Sequence, residues 1–472
     1  MDAAVMNSHK SAFTRIMLAC ALLLLVPLST ADTLREVVAK SLETNPEVRF
    51  EARAFQALEQ ERRRAFGGYL PRVDLDVSAG QARRDFDDRG TFDRHYAELS
   101  ITQMLFDGFR VRSQVEEADQ QLREQYFRLM SEAEQKALAI TETYLDVKRY
   151  RYLVELAQGN VNNHIQVRDQ VRERADQGVG SQADLYQAEG RLALAQSNLR
   201  TEVSNLQSVT ARYQRLTGTV PATELAPASE LGKAVPPELE TVLEQAFTNN
   251  PTIHASFANI HAAQSALDVA KANNYPTVEL GFRQGTYKNN NSFDSRADPD
   301  NFGDEGLLEL RMRYNLYNGG SDRAAQRAAY HRIGEAESQR DKACVDLRQT
   351  ATIAWSELEN LSTKIPMLQA HRDSSTQVVQ AYRDQFDIGR RSLLDVLDSE
   401  NEAFQSERNL IHGQYDRLLM RARVLNSMGQ LLRALGLTAE DSMPDAGNIQ
   451  KQPQELPAQY CAAVSDALVK WN

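Results

Sequence analysis

The 472-residue chain carries one series of landmarks twice. Asn45-Pro46 returns as Asn250-Pro251, and Tyr69-Leu70-Pro71 returns as Asn274-Tyr275-Pro276, each proline 205 residues from its counterpart. Phe106-Asp107-Gly108 returns as Tyr317-Asn318-Gly319, Gly178 as Gly389 and Asp184 as Asp395, all 211 residues apart. The second copy therefore holds six extra residues between its proline and its glycine, where a surface loop is expected. A unit of about 200 residues is far longer than a solenoid repeat, so two halves of one architecture are predicted.

Each half reads in the same order. Asn45 is a predicted N-cap with Pro46 at the first helical position, and a helix continues to about Phe66. Gly67, Gly68 and Pro71 stop it, and the apolar period changes from helical to alternating. Val73, Leu75, Val77 and Ala79 alternate with Asp74, Asp76 and Ser78. After the charged stretch Arg83 to Arg94, Ala97, Leu99 and Ile101 alternate with polar neighbours. In the second half Val278, Leu280 and Phe282, then Gly306, Leu308, Leu310, Met312 and Tyr314, do likewise. Two hairpins are predicted, over 72–104 and 277–314, with strands of about ten residues. That length suits a tilted bilayer-crossing strand. Half-buried hairpins of a soluble domain have the same pattern.

Each hairpin leads into a helix of unusual length. Val111, Val115, Ala118, Leu122, Tyr126, Leu129, Ala133, Ala137, Ile140, Tyr144 and Val147 form one stripe at helical spacing. The predicted helices, 110–177 and 321–387, would each be ~100 Å long at 1.5 Å per residue. Pro366 is the expected kink in the second. Such helices belong in a coiled coil or a tube, not in a compact domain. Gly178 and Gly389 end them as C-cap glycines. Ser181 with Asp184, and Ser392 with Asp395, then read as capping boxes that start return helices over 181–218 and 392–436. The halves are thus 32–218 and 238–436, joined by a proline-rich linker, 219–237. A loose tail, 437–472, is expected beyond them.

Residues 1–31 read as a signal peptide: Lys10 and Arg15, an apolar run from Ile16 to Leu28, then small residues before Asp32. Cys20 stands before that run rather than after it, which speaks against lipidation. No run of 18 apolar residues comes after it, so no membrane-spanning helix is expected. Cys344 and Cys461 do not make a disulfide framework, and a bridge between them, though open to an oxidising compartment, is not expected. The net charge of −11 argues against nucleic acid as a partner. The eight histidines have no metal-ligand spacing, and there is no phosphate loop, nucleophile elbow or thiol pair. Neither an enzyme nor a cofactor is indicated.

Four strands cannot close a barrel, and an open sheet edge in lipid leaves backbone groups unpaired. Several copies must pool their strands. This chain resembles the TolC family of outer-membrane efflux and type I secretion channels. The resemblance rests on the Asn-Pro helix starts, the Tyr-Leu-Pro and Tyr-Pro strand entries, the Phe-Asp-Gly and Tyr-Asn-Gly-Gly exits, and the segment from Phe386 to Asp398, in this order and doubled.

It implies a mainly α fold with a small β part. Long antiparallel helical hairpins would form a periplasmic α-barrel, under a 12-stranded outer-membrane β-barrel to which three chains give four strands each. It implies a homotrimer in outer-membrane lipid, docked through a periplasmic adaptor to an inner-membrane ABC or RND transporter. Carried over by position, Asp395 and Asp398 ring the pore constriction, with the turn glycines Gly178 and Gly389 beside it. Arg391 matches a gate-lock arginine and Asp184 its carboxylate partner. Phe386 stands where a tyrosine hydroxyl would complete the lock, so that hydrogen bond is not available. For Asp395 a plain helix-start acid is the alternative, and for Arg391 an exposed charge at a turn. The rival for the whole chain is a soluble periplasmic coiled-coil adaptor or scaffold. Within the channel reading, the unlipidated signal leans toward type I protein secretion over small-molecule efflux.

Overall fold

The structure is a computed structural model that describes residues 32–84, 90–178, 180–232, 235–289, 303–437 and 457–469. The expected signal segment, Lys10, Arg15 and Cys20 included, lies outside the described residues, as do Pro444 and Pro453 of the tail.

A further helix, α1 (Leu34–Thr44), precedes the predicted start at Asn45-Pro46. Thr33 and Glu36 close a capping box, the Glu36 amide on Thr33 Oγ1 at 3.2 Å and the Thr33 amide on Glu36 Oε2 at 3.1 Å. Leu34, Val37, Val38 and Leu42 are buried. Asn45 then ends α1 and opens α2 (Pro46–Phe66), its side-chain oxygen taking the Glu47 amide at 2.9 Å. The second half repeats this with Asn250 between α5 (Leu239–Asn249) and α6 (Pro251–Lys271).

The four strands are β1 (Arg72–Arg84), β2 (Gly90–Phe106), β3 (Thr277–Lys288) and β4 (Gly303–Arg313). They join into one antiparallel sheet in the order β1-β2-β3-β4, so the halves meet at the β2–β3 seam. The first hairpin is longer than expected, at 13 and 17 residues. Its ladder continues through most of the charged stretch, pairing Gln81 with Asp93 and Arg84 with Gly90. Register places Val73, Ile101, Phe282 and Leu308 side by side, and Leu280 beside Leu310. One face is therefore apolar, and Val73, Leu75, Val77, Leu99, Leu308, Leu310 and Met312 on it are exposed. The other face carries ion pairs, among them Arg72–Asp74 at 2.7 Å and Arg311–Glu279 at 3.3 Å. The outer edges of β1 and β4 have no partner strand among the described residues.

At the strand exit Gly108 has φ +70°, and a Cβ there would meet Tyr275 and the Ala272 carbonyl at under 3 Å. Glycine is required by both conformation and space. Asp107 takes the Val111 amide at 2.8 Å and starts α3 (Arg110–Asp176), which runs 67 residues without a break at Gly159. Its counterpart α7 (Ser321–Asp387) also runs 67 residues, with Pro366 inside it. The return helices are α4 (Gln182–Thr217) and α8 (Leu393–Ser427). The second stops short of 436. Gly429, at φ +64°, turns the chain against the Asn249 carbonyl and Pro251, and leads into a short α9 (Leu431–Ala434).

One apolar core joins the halves: Leu129, Ala133, Ala137, Ile140 and Tyr144 of α3, Tyr213 and Leu216 of α4, and Ala422, Val424 and Leu425 of α8. The linker is a packed strap rather than a loose joint. Leu225, Ala228 and Leu231 are buried, and the Tyr144 hydroxyl reaches the Asp32 and Ala226 carbonyls at 2.8 and 2.7 Å. The tail also differs from expectation. A helix, α10 (Pro457–Val469), packs on α5 and α7, and Cys461 forms a disulfide with Cys344. The Arg340 guanidinium lies 3.7 Å from the centre of the Tyr460 ring beside the bridge. Two cysteines 117 residues apart give no spacing signal; tertiary packing brings them together.

Candidate functional site

Both long helices reverse at glycines in the left-handed region, Gly178 at φ +75° and Gly389 at φ +73°. The turns close by short backbone bonds: Gly180 donates to the Arg174 carbonyl at 2.9 Å and Arg390 to the Gln385 carbonyl at 2.8 Å. Return then begins differently in the two halves. Ser392 and Asp395 form the full predicted capping box, at 3.2 and 3.4 Å. Ser181 takes the Ala183 amide at 3.1 Å, and Asp184 does not close the box. The Asp395 carboxyl lies below the usual carboxylate range, chiefly through the Ser392 hydroxyl and also its amide and nearby Arg391.

The two turns sit together. Val171, Leu185, Ala188, Leu393 and Leu397 form a buried apolar plug, with Phe386 packed against it. Phe386 lacks a hydroxyl, and its ring instead carries the Arg174 guanidinium at 4.6 Å. Such a contact contributes about 0.5–1 kcal/mol at an exposed site. Arg391 lies over the Tyr382 ring at 4.0 Å, donates to Gln385 Oε1 at 3.1 Å and comes within 3.7 Å of Asp395. Within one chain its carboxylate neighbour is therefore Asp395, not Asp184. Asp395 and Asp398, three residues apart, share a helix face as expected. Asp398 is exposed and pairs with Arg191 of α4 at 2.5 Å.

The structure adds residues that sequence reasoning missed. Glu400, 4% exposed, takes the Arg383 guanidinium at 2.9 and 2.7 Å. His164 Nδ1 faces Glu400 Oε2 across 3.9 Å, and both atoms are buried without a hydrogen-bond partner. Burial holds the His164 pKa down; Glu400 opposes this, while Arg191 and Arg383 add to it. A signal existed. Glu400 falls on the stripe Leu393, Val396, Leu397, Phe404, and His164 on the stripe Leu153, Ala157, Val161, Val171, so both are polar residues at core positions. Among the described residues no group of three His, Cys, Asp or Glu side chains is placed to hold a metal ion.

A sheet with one exposed apolar face and, among the described residues, two open edges, leading directly into 67-residue helices that fold back on themselves, defines the protomer of an outer-membrane channel. The family model for outer membrane efflux proteins matches residues 37–219 and 242–430, and the chain belongs to this family of TolC-type channels. The gap between the two matched stretches falls on the proline-rich strap. The chain is similar to the outer membrane efflux protein BepC of Brucella suis, 24% identical over 424 residues that cover 88% of this chain and 89% of BepC. It is also similar to the alkaline protease secretion protein AprF of Pseudomonas aeruginosa, 24% identical over 403 residues, 81% of this chain and 82% of AprF. Among solved structures it shares the fold of CusC, with a TM-score of 0.74 at 18% identity over 86% of this chain and 92% of that one. The protein resides in the outer membrane, with a long helical extension into the periplasm.

Proposed function

We propose that the protein is the exit duct of a tripartite export system, a homotrimer that passes cargo from an inner-membrane ABC or RND transporter, through a periplasmic adaptor, to the outside. The observation that carries this is the four-stranded sheet with unpaired outer edges. Each edge needs a neighbour in lipid, and three copies supply a closed ring of 12 strands. The rival soluble adaptor would have to expose the apolar sheet face to water. The mature chain should require detergent and run as a trimer by light scattering. A detergent-free, monodisperse monomer would remove the reading.

The cargo we infer is protein, by type I secretion. The similarity to AprF, named for alkaline protease secretion, supports this; the similarity to BepC, named for efflux, supports the small-molecule reading. Deleting the gene separates them. Loss of one large secreted protein with unchanged drug susceptibility supports secretion, and the reverse supports efflux.

At the periplasmic mouth, Asp395 and Asp398 of three chains bring six carboxylates to the constriction, which favours cations. Gly178 and Gly389 place the turns that carry them. The Arg391–Asp184 pair, which a single chain does not make, would be made between neighbouring chains, with Phe386 in the plug behind it. Arg391→Ala should then conduct more than wild type in single-channel recordings, and an unchanged conductance would count against the lock.

A further inference from the structure

The duplication breaks just beyond the turns. Gln187 of the first half stands where the second has Asp398, and Arg191 stands where the second has Glu402. One half carries a neutral and a basic residue where the other carries two acids. The structure uses this difference: Arg191 Nη2 on α4 lies 2.5 Å from Asp398 Oδ1 on α8. Asp398 lies about one and a half helical turns, and Arg191 about two and a half, into the return helix of its hairpin. Asp395 is already held by Arg391, an i,i+4 neighbour from its own turn. Asp398 is different, because its base comes from the other half of the chain.

We propose that Arg191 is a selectivity-determining residue of the mouth, a counter-charge that the first half supplies to Asp398 of the second. This rests on the reading of Asp395 and Asp398 as the constriction acids. A carboxylate paired at this distance presents a dipole to a passing ion, and a dipole's field falls off faster than a charge's. In a narrow pore with low-dielectric walls the difference between three bare and three paired carboxylates is felt by every ion that crosses. The side chains are 29% and 55% exposed, so the pair is weak and can be separated. Arg191 therefore tempers the acid ring while α4 and α8 are in contact. Any movement of α4 away from α8 releases Asp398 at full charge, and cation preference rises as the mouth widens.

The test is the reversal potential of the mature trimer in a planar bilayer under a potassium chloride gradient. Arg191→Gln should raise the cation-to-anion permeability ratio roughly twofold or more, and Arg191→Lys should stay near wild type. Asp398→Asn, which leaves Arg191 as a bare cation, should lower the ratio, and the Arg191→Gln, Asp398→Asn double variant, which removes both charges, should lie above Asp398→Asn alone and below Arg191→Gln. A swap of the two charges, Arg191→Asp with Asp398→Arg, keeps the pair and protects folding while moving the base to α8. It should abolish the cation preference. If Asp398→Asn lowers the ratio while Arg191→Gln and the swap leave it at the wild-type value, the role of Arg191 is wrong. If Asp398→Asn also leaves it unchanged, the constriction reading itself fails, and this proposal with it.

Discussion

Asn250 donates its side-chain amide to the Ser427 carbonyl at 2.9 Å while its side-chain oxygen caps Thr252 at 2.9 Å. One buried residue thus closes α5, opens α6 and ties both to the end of α8. Asn45 holds the equivalent place, with a longer bond of 3.4 Å to the Leu216 carbonyl. Losing an N-cap costs about 0.5–2 kcal/mol, and leaving a buried carbonyl unpaired costs about 1–3 kcal/mol more. Asn250→Ala should therefore lower Tm by circular dichroism, and by more than Asn45→Ala. Equal Tm values for both variants and wild type would show that these junctions do not hold the halves.

The Cys344–Cys461 bridge closes 117 residues of chain and fixes α10 against α5 and α7. Removing a disulfide that closes so long a loop costs roughly 2–5 kcal/mol. Cys461→Ser should free the tail to protease cleavage and lower Tm. The loss should match that of Cys344→Ser, and the double variant should be no worse than either. Additive losses would mean that the cysteines act separately.

The halves, the hairpins and the helix reversals were legible because each depends on local chemistry: an Asn-Pro start, a change of period, a glycine able to take positive φ. Ser321 and Asp387 bound α7 as the sequence predicts. The features that stayed hidden depend on contacts between distant segments. The bridge is one case, and the strap under Tyr144 another. Thr33 and Glu36 spelled a capping box that the apolar stripe of Leu34, Val37, Val38 and Leu42 would have confirmed. At the helix reversals, Asp395 was legible as a helix-start acid. Arg191 was not found, because its partner lies 207 residues away and the duplication gives that position no basic counterpart.

Glu134 on α3 is buried and accepts the Leu431 and Leu432 amides of α9, both at 3.2 Å. Burial outweighs these bonds and raises its carboxyl pKa from 4.5 to about 7. Between those values the folded chain binds a proton that the unfolded chain does not. Stability from this group is full below 4.5 and is lost as pH rises through about 7. Glu134→Gln keeps an acceptor and cannot ionise, so its Tm should be flatter than wild type across that window. Parallel Tm profiles would exclude Glu134 as the titrating group.

His164 should act in the opposite direction. Burial is the largest cause of its lowered pKa, so the folded chain sheds the proton more readily than the unfolded chain, whose value is 6.5. Its contribution is present above pH 6.5 and is lost as pH falls through the lower folded value. Glu400 on α8 faces the ring at 3.9 Å and favours the charge, while Arg191 on α4 and Arg383 on α7 oppose it. Acidification thus places a proton where α3, α7 and α8 meet close to the turns, and the helices separate more easily. His164→Gln should reduce the fall in Tm below pH 6.5, and Glu400→Gln, which removes the one group favouring the charge, should steepen it. A Glu400→Gln profile less steep than wild type would mean that the carboxylate, not the imidazole, carries the acid sensitivity of this junction.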